Sequence, residues 1–157
     1  RFYTDWEARR DNVQPDWEVN LTLMNMNIPI PQTYTYRNSV SKQVERGRDT
    51  SGKIIYKTIY ATINITKQSF TARADMQIVI SDISTHKNIS YNTFSEDYRW
   101  EEEHATFSGD SEALSENEWR LINNNNYNQP RKEDVLNELY RKLYPQVKNK
   151  ISYAVDW

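Results

Sequence analysis

The chain has 157 residues, of which 37% are hydrophobic and 13% aromatic, and its formal net charge at pH 7 is −2. This length predicts one domain with a substantial core, and so small a net charge gives no global attraction for nucleic acid or for an anionic membrane. The sequence has no cysteine, which excludes disulfides, thiolate metal sites and a cysteine nucleophile. No apolar run approaches 18 residues, so no transmembrane segment is expected.

The chain is expected to begin with an arm and a strand. Residues 1–16 contain few aliphatic side chains, and we interpret them as an N-terminal arm, extended or forming a short helix, that ends at Pro15. In residues 17–26 Trp17, Val19, Leu21 and Leu23 alternate with polar side chains, which predicts a half-buried strand. Residues 17–157 are predicted to form a single α+β domain.

Residues 27–53 are predicted to form a long loop within that domain. Pro29 and Pro31 disfavour a central strand, and glycines at positions 47 and 52 are turn signals. Long loops are often functional, so we expect Arg46 and Arg48 in this loop to contact a protein partner.

Three further strands are predicted after this loop. Residues 54–66 and 70–83 both alternate strictly between apolar and polar side chains, and Lys67-Gln68-Ser69 between them predicts a hairpin turn. Residues 82–88 form the next predicted turn. Residues 89–100, rich in aromatic side chains, form a fourth strand. The expected core is an antiparallel meander joined by the strand at 17–26.

The last third of the chain is predicted to be helical. Ser115 and Glu118 have the spacing of a capping box, so a helix should begin there and end in the asparagine run 123–126. Pro130 suits the first turn of a second helix, and Pro145 should kink or break that helix near Arg141. Its apolar residues recur at spacings of three and four, and they are Val135, Leu136, Leu139, Leu143, Val147, Ile151 and Val155. The predicted class is therefore α+β, with an antiparallel sheet of about four strands covered on one face by C-terminal helices.

The candidates for chemistry are few. His86 and His104 lie 18 positions apart without the ligand spacing of a metal site. The sequence around Ser108 lacks the glycine pattern of a nucleophile elbow, and no phosphate-binding glycine motif occurs. The acidic residues between positions 96 and 103 lie on a predicted strand that sends neighbours to opposite faces. These observations predict no catalytic site, no metal and no cofactor. They favour an acidic belt turned towards solvent or a partner.

Two stretches carry a resemblance to a known group of proteins. Residues 57–100 read KTIYATINITKQSFTARADMQIVISDISTHKNISYNTFSEDYRW, and YRW followed by HATFSGDSEAL precedes a terminal NELYRKLYPQVKNKI helix. This pattern over residues 53–157 resembles small α+β envelope lipoproteins of the curli-secretion and penicillin-binding-protein-activator type, and more narrowly envelope proteins of the Bacteroidota. The resemblance implies no enzyme activity and no cofactor. It also implies a protein of the periplasm or outer membrane that works by contact.

The function expected from these observations is a non-enzymatic structural or protein-interaction component of a bacterial cell envelope. Because the chain begins with Arg1, we expect that upstream residues have been removed, and a signal peptide or lipid anchor could have been among them. The expected contacts to a protein partner are made by Arg46, Arg48, Tyr98, Trp100, Glu101, Glu102 and Glu103. One alternative is a surface glycan-binding module that uses Trp6, Trp17, Tyr98 and Trp100. A second alternative is a hydrolase of unrecognised type.

Overall fold

The computed structural model describes residues 2–125 and 128–154. The strands are β1 (Trp17–Asn27), β2 (Gln32–Arg48), β3 (Ile54–Asp82) and β4 (Lys87–Gly109), and the helices are α1 (Asp5–Arg10), α2 (Glu116–Ile122) and α3 (Lys132–Ala154). A short 3-10 turn occupies Ser111–Ala113. The α+β class is confirmed, with four antiparallel strands and C-terminal helices packed on the sheet. The predicted residues Asn126 and Val155 lie outside the described part.

β3 is the central strand of the sheet. β1 pairs with its second half, placing Leu21 opposite Ile78, and β2 pairs with its first half, placing Val40 opposite Ala61. β4 also pairs with β3. The sheet contains a three-strand meander, β2–β3–β4, with β1 added to β3, but its strands differ from those predicted, because the predicted strands 54–66 and 70–83 are both parts of β3.

The prediction of a loop over residues 27–53 is wrong, because a 17-residue strand, β2, occupies most of it. Only every fourth side chain of β2 is half-buried, at Tyr36, Val40 and Val44. This spacing conceals the alternation that identifies a strand in sequence. Pro29 and Pro31 precede the strand, so neither removes a backbone hydrogen bond from it.

The hairpin predicted at Lys67-Gln68-Ser69 is also wrong, because β3 continues through it for 29 residues. Buried side chains occupy odd positions from Ile59 to Ile65 and even positions from Phe70 to Ile80. This change of parity resembles a turn in the sequence. Instead, the three residues stay in register with the start of β2. The true turn between β3 and β4 lies at 83–86, where the Asp82 carboxylate accepts from the Ser84 hydroxyl (2.6 Å) and the Thr85 amide (2.9 Å).

The chain divides into two compact units. Unit 1 contains the described residues of Arg1–Ile28, Thr71–Tyr98 and Arg131–Trp157, and unit 2 contains Pro29–Phe70 and those described within Arg99–Pro130. The single domain predicted for residues 17–157 stays a prediction, while the short helix foreseen for the N-terminal arm is α1.

The core of unit 1 is built from the second half of β3 and from α3. The sheet contributes Ala72, Ala74, Met76, Ile78 and Ile80, and the helix contributes Val135, Leu139, Leu143 and Val147. The break predicted near Arg141 does not occur, since α3 is continuous through Pro145. A proline removes one helical N–H, whereas the buried Leu143 and Val147 on either side hold both halves of the helix to the core.

The core of unit 2 combines the first half of β3 with the end of β4, the 3-10 turn and α2. Its buried side chains are Ile59, Ala61, Ile63, Ile65, Phe70, Ala105, Ala113 and Leu114. The predicted capping box is present, with Ser115 Oγ accepting from the Glu118 amide at 3.4 Å and Glu118 Oε2 accepting from the Ser115 amide at 2.5 Å. β4 runs beyond the predicted end at residue 100 to Gly109, whose φ is +100°. A Cβ there would lie 2.7 Å from the Tyr60 carbonyl oxygen. The close approach of the backbone at position 109 to Tyr60 therefore requires glycine.

Candidate interaction surfaces

The acidic residues predicted to bind a partner are largely paired with bases of unit 2. Lys67 Nζ lies 2.5 Å from Glu101 Oε1 and 3.7 Å from Glu103 Oε1, and Arg99 lies 2.8 Å from the other Glu101 oxygen. The hydrogen bond from Lys67, followed by the one from Arg99, lowers the pKa of Glu101. These two cations engage Glu101 and Glu103, so these two carboxylates are partly occupied by partners within unit 2.

An open depression of about 630 Å³ lies beside these acids in unit 2. It is lined by Glu101, Glu102, Glu103, Arg120, Leu121, Asn123 and Asn124. Asn124 Nδ2 donates to the Glu103 carbonyl at 2.6 Å and to Glu102 Oε2 at 3.3 Å, which fixes the end of α2 to β4. The depression is lined by three carboxylates and one guanidinium. Glu101 and Glu103 are paired with Lys67, and Glu102 accepts from Asn124, so each of the three carboxylates already has a partner.

The predicted aromatic contacts, Tyr98 and Trp100, are half-buried. The Trp100 ring packs against Phe70, with ring centroids 5.5 Å apart and planes tilted by 32°. Because neighbours on a strand point to opposite faces, Trp100 faces away from Glu101 and Glu103. Its position indicates a packing role within unit 2.

The predicted basic contacts, Arg46 and Arg48, lie at the far end of β2. Arg46 is 3.1 Å from Glu112 Oε2, and Arg48 donates to the Gly52 carbonyl at 3.2 Å. Arg48 is opposite Ile54, which is 13 residues before Lys67 on β3, a distance of roughly 40 Å along a strand. Within unit 2 the arginines and the acidic residues therefore do not form one surface.

Unit 1 contains a cleft of about 1050 Å³ where α1, the start of β1 and the β3–β4 turn meet. Its aromatic lining is Phe2, Tyr3 and Trp17. Of the tryptophans in the glycan hypothesis, this cleft holds Trp17. Trp6 is outside the lining and lies under the Arg10 guanidinium, 4.7 Å from the ring centroid.

The cleft also bears on the hydrolase alternative, because His86 lines it together with Asp16 and Asp82. Asp82 already accepts hydrogen bonds from the turn that follows it, and His86 makes no hydrogen bond to any described residue. His86 is therefore not paired with Asp16 or Asp82. Within residues 2–125 and 128–154, no group of three or more histidine or acidic side chains is placed to hold a metal.

A surface that the sequence analysis missed is the outer edge of β1. β1 pairs with β3 and, in the part of the chain that the structure describes, with no other strand. Its side chains Leu21, Leu23 and Met26 are 49%, 41% and 48% exposed. One charged residue, Glu18, occurs in the whole strand, and the strand has no proline. That composition, unusual for an exposed edge, is the signal that could have identified this surface.

None of the helices within the described ranges is long and apolar enough to cross a membrane. Comparisons of the chain with models of protein families, with curated proteins and with solved structures find no match.

Proposed function

We propose that this chain is a non-enzymatic protein-interaction component of a bacterial cell envelope, and that it works by strand contacts. The partner supplies an extended segment that adds to the outer edge of β1 and alternates apolar with polar side chains. In such β-augmentation, backbone hydrogen bonds provide affinity and the alternating side chains provide specificity.

The observation that carries this proposal is the composition and exposure of β1. An edge strand presents unpaired N–H and C=O groups, and proteins commonly blunt such edges with lysine, proline or short length. β1 has 11 residues, neither lysine nor proline, and a burial pattern in which only Val19 and Met24 are partly covered. A strand partner would satisfy its backbone and remove Leu21 and Leu23 from water.

The envelope location, in the periplasm or at the outer membrane, is supported by the resemblance of residues 53–157 to envelope lipoproteins. It is tested by fractionating cells that express the full-length protein at native level. The proposal expects the protein in periplasmic or outer-membrane fractions, and recovery in the cytosol alone contradicts this location.

The strand contact is tested by photo-crosslinking in cells. A photoreactive amino acid replaces Thr22, which is exposed on β1, and in a matched variant replaces Thr33, which is exposed on β2. The proposal expects a discrete protein adduct from position 22, lost when Leu23→Lys is added, and no such adduct from position 33. No adduct from position 22, or equal adducts from both positions, contradicts the proposal.

A second candidate function is glycan binding in the cleft of unit 1. The cleft places the 40%-exposed Trp17 ring among amide and carboxylate side chains, including Gln14, Asn20 and Glu18. A ring face with polar groups around it is a common composition for ligand sites. Titration with envelope oligosaccharides should change tryptophan fluorescence in the wild type and in Trp6→Phe, but not in Trp17→Phe. Equal responses from all three contradict a site in this cleft.

A further inference from the structure

We infer that the strand added to β1 is β1 of a second copy of this chain, so that the protein forms a two-fold symmetric dimer with a sheet continuous across its interface. This inference rests on the proposed strand contact at β1 and names the partner for it.

The three strands that pair with β3 differ in how many charged side chains they carry. β2 carries Arg37, Lys42, Glu45, Arg46 and Arg48, and β4 carries charged side chains from Lys87 to Glu103. Charged residues on an edge oppose pairing with another chain. Glu18 is the one charged residue of β1. Of the three edges, β1 is therefore the one at which adding a strand has the smallest electrostatic cost.

The sequence of β1 is complementary to itself when two copies run antiparallel. Residues 19–23 read V-N-L-T-L, which is close to palindromic about Leu21. An isologous contact places each patch against its own copy. With Leu21 opposite Leu21 of the second copy, Val19 is opposite Leu23 and Asn20 is opposite Thr22. Apolar side chains then meet apolar ones on one face, and an amide meets a hydroxyl on the other, which are pairings that stabilise sheets.

The ends of this ladder are compatible with the same register. Glu18 is opposite Met24, so no like charges face each other. Beyond Met24 the register of β1 against β3 shifts, and Asn25 has a φ of +51°. Asn25 Nδ2 is held by Asp75 Oδ2 at 2.8 Å. Bulges terminate pairing, so residues 18–24 form the expected contact.

The apolar face of the contact extends the core of unit 1. Paired residues on neighbouring strands lie on the same face, and Val19, Leu21 and Leu23 are opposite Ile80, Ile78 and Met76. Those three β3 residues are 0%, 0% and 7% exposed, whereas Leu21 and Leu23 are more than 40% exposed. The second copy would cover Leu21 and Leu23, which lie at the boundary of the buried core of unit 1.

The experiment uses the sign of a charge at the two-fold axis. In Leu21→Lys two ammonium groups face each other, and in Leu21→Glu two carboxylates do. Sedimentation equilibrium of the intact chain should show a dimer for the wild type. Each variant alone should have a self-association constant lowered roughly tenfold or more, since like charges directly opposite destabilise a strand pair. An equimolar mixture of the two variants should recover the dimer, because opposite charges then meet.

The control is Tyr34→Lys, which adds a charge at a 67%-exposed position on β2 and should leave dimerisation unchanged. Recovery in the mixture also shows that both variants are folded. A wild type that stays monomeric overturns the inference, as do variants that dimerise like the wild type. A mixture that fails to recover the dimer contradicts the register centred on Leu21. If the wild type is monomeric but crosslinks from position 22 to another protein, the proposed strand contact stands and only the dimer fails.

Discussion

The two units use the same central strand and cover it differently. In unit 1 the 23-residue helix α3 contributes four buried side chains to the core. In unit 2 the seven-residue helix α2 has no buried residue, and its half-buried Trp119 and Ile122 pack on a cluster that includes Leu114 of the preceding segment. A long amphipathic helix closes a core by itself, whereas a short one contributes as part of an assembly of small pieces.

The two units also differ in the side chains of their edge strands. The edge strand of unit 2 is β2, which is long and has five charged side chains. The edge strand of unit 1 is β1, which exposes Leu21 and Leu23. Unit 1, whose core is covered by the longer helix, thus has the edge strand with fewer charged side chains. If the proposed strand contact holds, α3 stabilises unit 1 and β1 provides its interaction surface.

The largest expected effect separates the two helices. Leu139 is fully buried in α3, so Leu139→Ala should lower the free energy of unfolding by about 2–5 kcal/mol through lost burial and a cavity. Urea denaturation measures this loss. Tyr153→Ala, at an 86%-exposed position of the same helix, should stay within about 0.5 kcal/mol. A smaller loss from Leu139→Ala than from Leu121→Ala, at a half-buried position of α2, would reverse the comparison.

Trp100→Ala tests whether this aromatic packs or binds. The ring is half-buried against Phe70, so its truncation should cost about 1.5–3 kcal/mol, the sum of partial burial and an aromatic pair. The measurement is again the urea midpoint, with Tyr56→Ala at a 60%-exposed position of unit 2 as the control. Unchanged stability in Trp100→Ala would contradict a packing role and would favour Trp100 as a partner contact.

The two capping boxes give a matched pair. Ser115 caps α2 and Thr4 caps α1 with the same reciprocal hydrogen bonds. Ser115→Ala should cost about 1 kcal/mol, because α2 holds Trp119 and Ile122 against the core of unit 2. Thr4→Ala should change global unfolding less, since the half-buried residues of α1 are only Glu7 and Ala8, so α1 packs no large apolar side chain and can fray locally. Equal losses in thermal denaturation would show that α1 is part of the cooperative core.

The smallest effect concerns pH and unit 1. The Asp75 carboxylate accepts from the Ser95 hydroxyl at 2.6 Å and from the Asn25 amide at 2.8 Å, and these bonds, with Arg73 nearby, lower its pKa. A lowered folded pKa gives stability that is present above the unfolded value of about 3.9 and is lost as pH falls through the folded value. Asp75→Asn should flatten the acid limb of a plot of unfolding free energy against pH. An unchanged acid limb would contradict this assignment.

Much of the fold was predictable because strict alternation marks a strand and a capping box marks a helix. β1, both halves of β3, Ser115 and the apolar face of α3 were identified in this way. β2 was missed because its half-buried residues are four apart and the strand depends on pairing with β3 for its backbone hydrogen bonds. The false hairpin arose because a change of buried parity within one strand has the same local pattern as a turn.

The candidate surfaces were less predictable. Sequence identified Glu101, Trp100 and Arg46 as conspicuous residues, but exposure and partners depend on which side chains the fold brings close. Lys67, distant in sequence, neutralises Glu101, and Phe70 packs on Trp100. The β1 edge was missed because alternation alone gives no information about which strand is left without a neighbour.

The most direct test of the β1–β1 contact is residue-resolved amide hydrogen exchange over β1, at protein concentrations above and below the dimer transition. In an antiparallel edge strand, alternate residues bond to the inner neighbour and the others point outward. A β1–β1 dimer predicts that alternate amides of residues 18–24 exchange rapidly at low concentration and become protected at high concentration, while those of β2 do not change. Outward amides of β1 that exchange equally fast at both concentrations would contradict it.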